Sequence, residues 1–179
     1  MRLRAARADD AAAIASLYAR YVLDTAVSFE TEPPSEAAML GRMSEGAGLY
    51  PWLVAEEDGA LAGFAYAGAF RSRFAYRFTV ETTVYIREGY ERRGLGSALY
   101  RPLLASLEAQ GFTQAIAAIT LPNDASARLH EKMGFEQAGT YRRVGWKLGA
   151  WRDVGLWQRP LAAERSPPAE PRPPAGLQA

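Results

Sequence analysis

Glu81 stands in the middle of residues 79–86, where Val80, Thr82, Val84 and Ile86 alternate with Thr79, Glu81, Thr83 and Tyr85. That period of two marks a strand. A carboxylate among β-branched neighbours opposes strand propensity, so Glu81 is either an exposed edge carboxylate or a working base. Directly after it, Glu91-Arg92-Arg93-Gly94-Leu95-Gly96 forms a basic, glycine-punctuated loop, and Leu95, Ala98, Leu99, Leu103 and Leu107 continue at helical spacing. A strand leading through such a loop into a helix presents unpaired N–H groups and a helix dipole, which together hold phosphate. Glycine admits the anion closely, and Arg92 and Arg93 add charge, so the loop reads as a site for a phosphorylated ligand. It is neither a Walker A sequence nor a dinucleotide fingerprint. Arg71 and Arg73, beside Tyr76, could turn two guanidinium forks on one small carboxylate or phosphinate; a solvated loop is the alternative. His130 is the only histidine and by itself suits a helix face or core as well as acid–base work.

The elements that must position these groups can be read in order. Residues 3–5 form a short edge strand. Asp9 or Asp10 caps a helix with the stripe Ile14, Leu17, Tyr18, Tyr21 and Val22. A polar loop, residues 26–32, carries one large apolar residue, Phe29, which either folds onto its own core or reaches a neighbouring subunit or pocket. Ser35 caps a second helix bearing Met39, Leu40 and Met43. Residues 52–55 and 61–66 make a hairpin around Asp58-Gly59. After the strand holding Glu81 comes the helix from Leu95, which Pro102 should kink or narrow. Residues 114–121 are an apolar, buried strand, and a short helix, residues 125–132, stops at Gly134. Two more strands, residues 139–146 and 154–159, flank an aromatic-rich connection with Trp146, Lys147, Trp151 and Asp153. The domain is expected over residues 1–163. Residues 164–179 form a proline-rich tail, expected to be disordered.

At 179 residues the chain suits one packed domain. A net charge of +1 gives no sign of a nucleic-acid or anionic-membrane partner. With no cysteine, disulfides, thiolate metal sites and a cysteine nucleophile are excluded, and one histidine leaves no basis for a zinc cluster. No apolar run approaches membrane-spanning length and no signal pattern opens the chain, so a cytoplasmic protein is the expectation.

The order of elements resembles the GNAT fold of the Gcn5-related N-acetyltransferases, an α/β (α+β) fold whose central mixed, mostly antiparallel sheet is flanked by helices. Arg92 through Ser97 looks like that family's pyrophosphate loop, and NDASARLHEKMGF (residues 123–135) looks like its later acetyl-CoA motif. AYRFTVETTVY (75–85), RRGLGSALY (92–100), LPNDASARLHE (121–131) and GWKLGAWRDVGLWQR (145–159) narrow the likeness. They are similar to the branch that acetylates phosphinothricin, methionine sulfoximine and methionine sulfone.

The resemblance implies acetyl-CoA as cosubstrate, no metal, and a small amino-acid acceptor. It implies that Val84, Tyr85 and Ile86 meet the acetyl and pantetheine arm, that Arg92, Arg93, Gly94, Leu95, Gly96 and Ser97 hold the pyrophosphate, and that Asn123 hydrogen-bonds the coenzyme. Glu81 and His130 match catalytic positions; Arg71, Arg73, Tyr76 and Phe29 match substrate-binding ones, Phe29 across a homodimer interface. Direct attack on a thioester needs a neutral amine; Glu81 would be the base, and His130 would assist it or protonate the thiolate. One departure stands out: Glu91 replaces the usual Gln or Arg and is expected to put a carboxylate near the diphosphate. Another amine acceptor (a protein N-terminus, polyamine or aminoglycoside) and a non-catalytic acetyl-CoA sensor are the rival readings. Arg71 and Arg73 favour an anionic acceptor, and a sensor would need only the loop. Detoxification in herbicide or antibiotic resistance and incidental activity on a natural metabolite look alike from sequence.

Overall fold

A computed structural model describes residues 1–46, 48–163 and 165–174. Seven strands form one sheet in the order β1-β2-β3-β4-β5-β7-β6. They are β1 (Arg2–Ala5), β2 (Trp52–Glu57), β3 (Ala60–Ala69), β4 (Thr79–Ile86), β5 (Gln114–Leu121), β6 (Glu136–Lys147) and β7 (Ala150–Pro160). Every neighbouring pair is antiparallel except β4 and β5. The expected mixed, mostly antiparallel sheet is therefore present, with helices on both faces.

On one face, α1 (Ala11–Leu23) and α2 (Glu36–Ser44) cover a cluster of Ile14, Leu17, Val22, Met39, Phe64 and Tyr85. Asp10 begins α1 and is gripped by Arg4 at 2.7 and 2.8 Å, which ties that helix to β1. Ser35 caps α2 through the Ala38 N–H. Of the three large apolar residues on α2, Met39 is fully buried and Leu40 points outward. On the other face, α3 (Leu95–Gln110) and α4 (Asp124–Lys132) cover Val80, Leu99, Leu103, Phe112, Ala115 and Phe135. Pro102 lies inside α3, and the helix runs through it without a break.

The last two strands differ from expectation. Trp146, Lys147, Trp151 and Asp153 belong to the strands themselves, not to a connection between them. The turn is Leu148-Gly149, both with positive φ (52° and 71°), the backbone of a tight hairpin turn. Leu is a poor marker for that conformation, so the turn left no sequence signal. The proline-rich segment also makes contacts its composition does not suggest. Glu170 takes a fork of hydrogen bonds from Arg77 (2.7 to 3.1 Å), and Arg172 N–H bonds to Gln110 O at 2.9 Å. Residues 164 and 175–179 of that expected tail lie outside the described residues.

Candidate active site

The decisive feature is where β4 and β5 part. They pair over three positions, Thr79 with Gln114, Val80 with Ala115 and Glu81 with Ile116. Beyond Glu81 the strands separate, and a cavity of about 50 Å³ opens between them. Thr82, Val84, Ala117, Ile119 and Thr120 line its sides, with Val27 at one mouth and Tyr100, Asn123, Ser126 and His130 toward the other. Its lining therefore draws on both faces of the sheet.

Its β4 wall offers backbone partners. Arg87 N–H bonds back to Ala62 O on β3 (2.8 Å). Alternation along the strand then aims the N–H and C=O of Ile86 and Val84 away from β3, toward the slit, while those of Tyr85 face β3. The Tyr85 side chain is buried, packed on Tyr18 and Tyr21. At Ile86 the Tyr21 hydroxyl already donates to the carbonyl (2.6 Å) and accepts from the N–H (3.3 Å). Val84 is the β4 residue left open to a strand-like ligand.

Strand alternation also separates the two expected catalytic groups. Glu81 shares its face with Thr83 and Tyr85, on the α1–α2 side, whereas His130 belongs to α4 on the opposite side. His130 lines the slit, and Glu81 stands at the last paired position just before it. Glu81 is half-buried, and loss of water raises its carboxyl above the ordinary range; the charge of Arg71 pulls it partly back. Such an environment makes the carboxylate a readier proton acceptor.

His130 is fully buried. Its Nδ1 lies 2.7 Å from Ser126 O, a carbonyl that only accepts, so Nδ1 carries the proton. Nε2 therefore accepts from the Tyr100 hydroxyl at 2.8 Å. Burial lowers the imidazole's pKa, with Ser126 O opposing, and so favours the neutral ring. Tyr100 itself is buried and its phenol is raised far up, chiefly by desolvation. Sequence reasoning passed over Tyr100 because at helical spacing in α3 it reads as core. Its five-residue distance from Leu95 gave no sign of the hydroxyl's partner thirty residues away.

The glycine loop has the expected form. Gly94 takes φ 83° and precedes α3, and Ala98 N–H is the first to bond back, onto Gly94 O (3.0 Å). The N–H groups of Leu95, Gly96 and Ser97 are thus first-turn donors without an intrahelical acceptor. A Cβ on Gly96 would come within 2.7 Å of the Leu129 side chain, so glycine lets α3 and α4 approach here. Arg92 and Arg93 are exposed beside the loop; Arg93 stacks on Tyr90 and lies 3.7 Å from Glu57. Donors, glycine and exposed cations fit a diphosphate. Glu91 does not aim at it, contrary to expectation. Its carboxylate accepts the Gly89 N–H at 2.8 Å and sits 3.9 Å from Arg20. Asn123 is engaged as the cap of α4, accepting from Ser126 N–H at 3.2 Å, and it also lines the slit.

Of the acceptor-side residues, Arg71 is brought near Glu81 and rests on Phe70, with its guanidinium 5.0 Å from the ring. Arg73 and Tyr76 are exposed on the same loop, Tyr76 edge-on to Phe70. Phe29 leans on Gly145 of β6 in its own chain and keeps 40% of its surface exposed. A larger hollow of about 330 Å³ lies elsewhere, between the end of α3 and the proline-rich segment, away from all of these groups. Among the described residues no set of three or more His, Asp or Glu side chains could hold a metal, and no helix is long and apolar enough to cross a membrane.

Comparison with known proteins agrees with this geometry. The description "Acetyltransferase (GNAT) family" matches residues 14–135. The chain is 46% identical, over 97% of its length and 92% of the relative's, to a phosphinothricin N-acetyltransferase of Streptomyces viridochromogenes. It is 34% identical, over 94% and 99%, to the L-methionine sulfoximine/L-methionine sulfone acetyltransferase of Salmonella typhimurium. Among solved structures, a phosphinothricin acetyltransferase from Sinorhizobium meliloti in complex with AcCoA superposes with a TM-score of 0.89 at 40% identity, covering 96% of this chain and 92% of that one.

Proposed function

This chain belongs to the acetyltransferase (GNAT) family, and within it we propose that the protein moves the acetyl group of acetyl-CoA onto the α-amino group of a small amino-acid-like acceptor of the phosphinothricin, methionine sulfoximine or methionine sulfone type. The observation that supports this reading is the parting of β4 and β5 directly after Glu81, whose carboxyl is raised, with His130 lining the opening and first-turn donors at the start of α3. Acetyl-CoA supplies an activated acyl group. The first-turn donors of α3 with Arg92 and Arg93 hold its diphosphate, and Val84 offers the strand-like backbone partner for its arm. Arg71 and Arg73 hold the acceptor's anionic group, with Tyr76 and Phe29 shaping the pocket.

An ammonium has no lone pair, so the acceptor must lose a proton before attack. Glu81, with its raised pKa, takes that proton directly or through water. His130 has its only N–H tied to Ser126 O, so any proton it exchanges with the slit passes through the Tyr100 hydroxyl. The pair can deliver a proton to a departing thiolate only after the imidazole has gained one.

We further propose a cytoplasmic homodimer. Tyr141, Val144, Trp146, Leu148 and Trp151 are 46–60% exposed on the β6–β7 hairpin, an apolar patch that a monomer would leave in water. Phe29, which rests on that hairpin, then lies near a neighbour's site.

Thiol release from acetyl-CoA, measured against phosphinothricin, methionine sulfoximine, methionine sulfone, spermidine and an aminoglycoside, tests the activity. Turnover confined to the amino-acid analogues is expected; preference for a polycation would overturn the acceptor class. Sedimentation of wild type and Trp151→Glu tests the dimer, which the substitution should dissociate.

A further inference from the structure

Lys147 ends β6 and is buried, yet among the described residues its ammonium forms no salt bridge with a carboxylate. It donates to three backbone carbonyls, Val22 O and Ser28 O at 2.6 Å and Glu30 O at 2.8 Å. An ammonium has three N–H donors, and all three are used. Val22 lies in the last turn of α1, where carbonyls have no intrahelical partner. Ser28 and Glu30 belong to the loop that follows. One side chain from the far end of the sheet thus gathers the end of α1 and the loop into a single fold.

That loop borders the slit. Val27 lines its mouth, and Val27 O lies 3.5 Å from the Thr120 hydroxyl on β5. A second set of bonds fixes the same loop from its side chains: Glu30 accepts a fork from Arg42 (2.8 and 2.9 Å) and the Tyr18 hydroxyl (2.9 Å), and Tyr18 also bonds Ser28 Oγ (2.7 Å). These side-chain bonds leave the carbonyls of Ser28 and Glu30 to Lys147. The family likeness of the proposed activity assigns no role to this lysine.

We infer that Lys147 is a positioning residue for the acceptor: by holding the carbonyls of residues 22, 28 and 30 it sets Val27 against the mouth of the slit and Phe29 against Gly145 of β6, and without it the acceptor pocket loosens while the coenzyme side stays intact. This inference rests on the proposed acetyl transfer for its kinetic consequence, and on hydrogen bonding alone for its structural one. Lys→Arg is no substitute, because a planar guanidinium cannot direct donors at three carbonyls gathered around one nitrogen.

The absence of cysteine makes a clean test possible. In Lys147→Cys the new thiol is the only one, and aminoethylation in the unfolded protein followed by refolding rebuilds a lysine-like ammonium. K147C is expected to raise the acceptor KM about tenfold, leave the KM for acetyl-CoA within about twofold, and speed amide exchange in residues 24–30 at least tenfold with β4 unchanged. Aminoethylation is expected to restore both. Lys147→Gln, which keeps two donors, serves if K147C does not refold, with a smaller rise in acceptor KM and the same confinement of fast exchange. Unchanged exchange and unchanged acceptor KM overturn the inference, as does an equal rise in both KM values. A wild type that acetylates no amino acid defeats the proposed function instead, and the exchange measurement still decides for or against Lys147.

Discussion

Removing the charge at position 81 separates chemistry from binding. Glu81→Gln keeps the shape of the side chain but cannot take a proton. Its kcat is expected to fall at least about 100-fold, with acetyl-CoA affinity, read by equilibrium titration, within about twofold. The same residue has a stability consequence with a definite sign. Burial raises its folded-state pKa above the unfolded value, so its contribution is fully present below the unfolded pKa, about 4.3, and is lost as pH rises through the raised one. At neutral pH the buried carboxylate therefore opposes folding. Glu81→Gln should melt higher than wild type at pH 7, and the gap should narrow on acidification toward pH ~4; a lower melting point at pH 7 would contradict the desolvation account. Glu91→Gln is a complementary case. Its carboxylate turns to Gly89 N–H and Arg20, so isothermal titration should find acetyl-CoA affinity changed less than about twofold. Sequence placed Glu91 beside the diphosphate because neighbours in a loop look alike on paper. Which way a side chain leaves a turn depends on φ and ψ, and Arg92 takes φ 61°, a left-handed step that sequence does not announce.

Secondary structure was legible wherever one physical signal dominated. The strand at 79–86, the helix cap at Ser35 and the Asp58-Gly59 turn all matched a local rule, and the structure agrees at each, whereas Asp10 begins α1 without capping it, its carboxylate taken by Arg4 and the Arg7 N–H. The β6–β7 hairpin was read too short at both strands because aromatic and charged residues, Trp146, Lys147 and Trp151, alternate there without a buried apolar face. Lys147 shows why: its methylene stem enters the interior while its head meets carbonyls from α1 and the following loop, a partnership distant in sequence. The juncture of α3 and α4 gives a test at this level. Gly96→Ala places a methyl against Leu129 and must push the two helices apart or twist Leu129 from its rotamer. The expected cost is about 1–3 kcal/mol, measured by chemical denaturation, together with weaker acetyl-CoA binding because the first-turn donors move with the helix. A neutral effect on both would mean Leu129 simply swings aside.

The topology as a whole was readable from the order of elements, but the relation between Glu81 and His130 was not. The resemblance makes the two members of one site; the sheet sets them on opposite faces, Glu81 at the last paired position of β4 and β5 and His130 lining the gap that follows. That parting also bears on the order of binding in the proposed reaction. If it admits donor and acceptor from opposite faces, neither has to vacate the protein before the other enters. Initial-rate plots should intersect, not run parallel. Desulfo-CoA, a dead-end mimic of the donor, should compete with acetyl-CoA alone and leave the apparent affinity for the amino acid largely untouched.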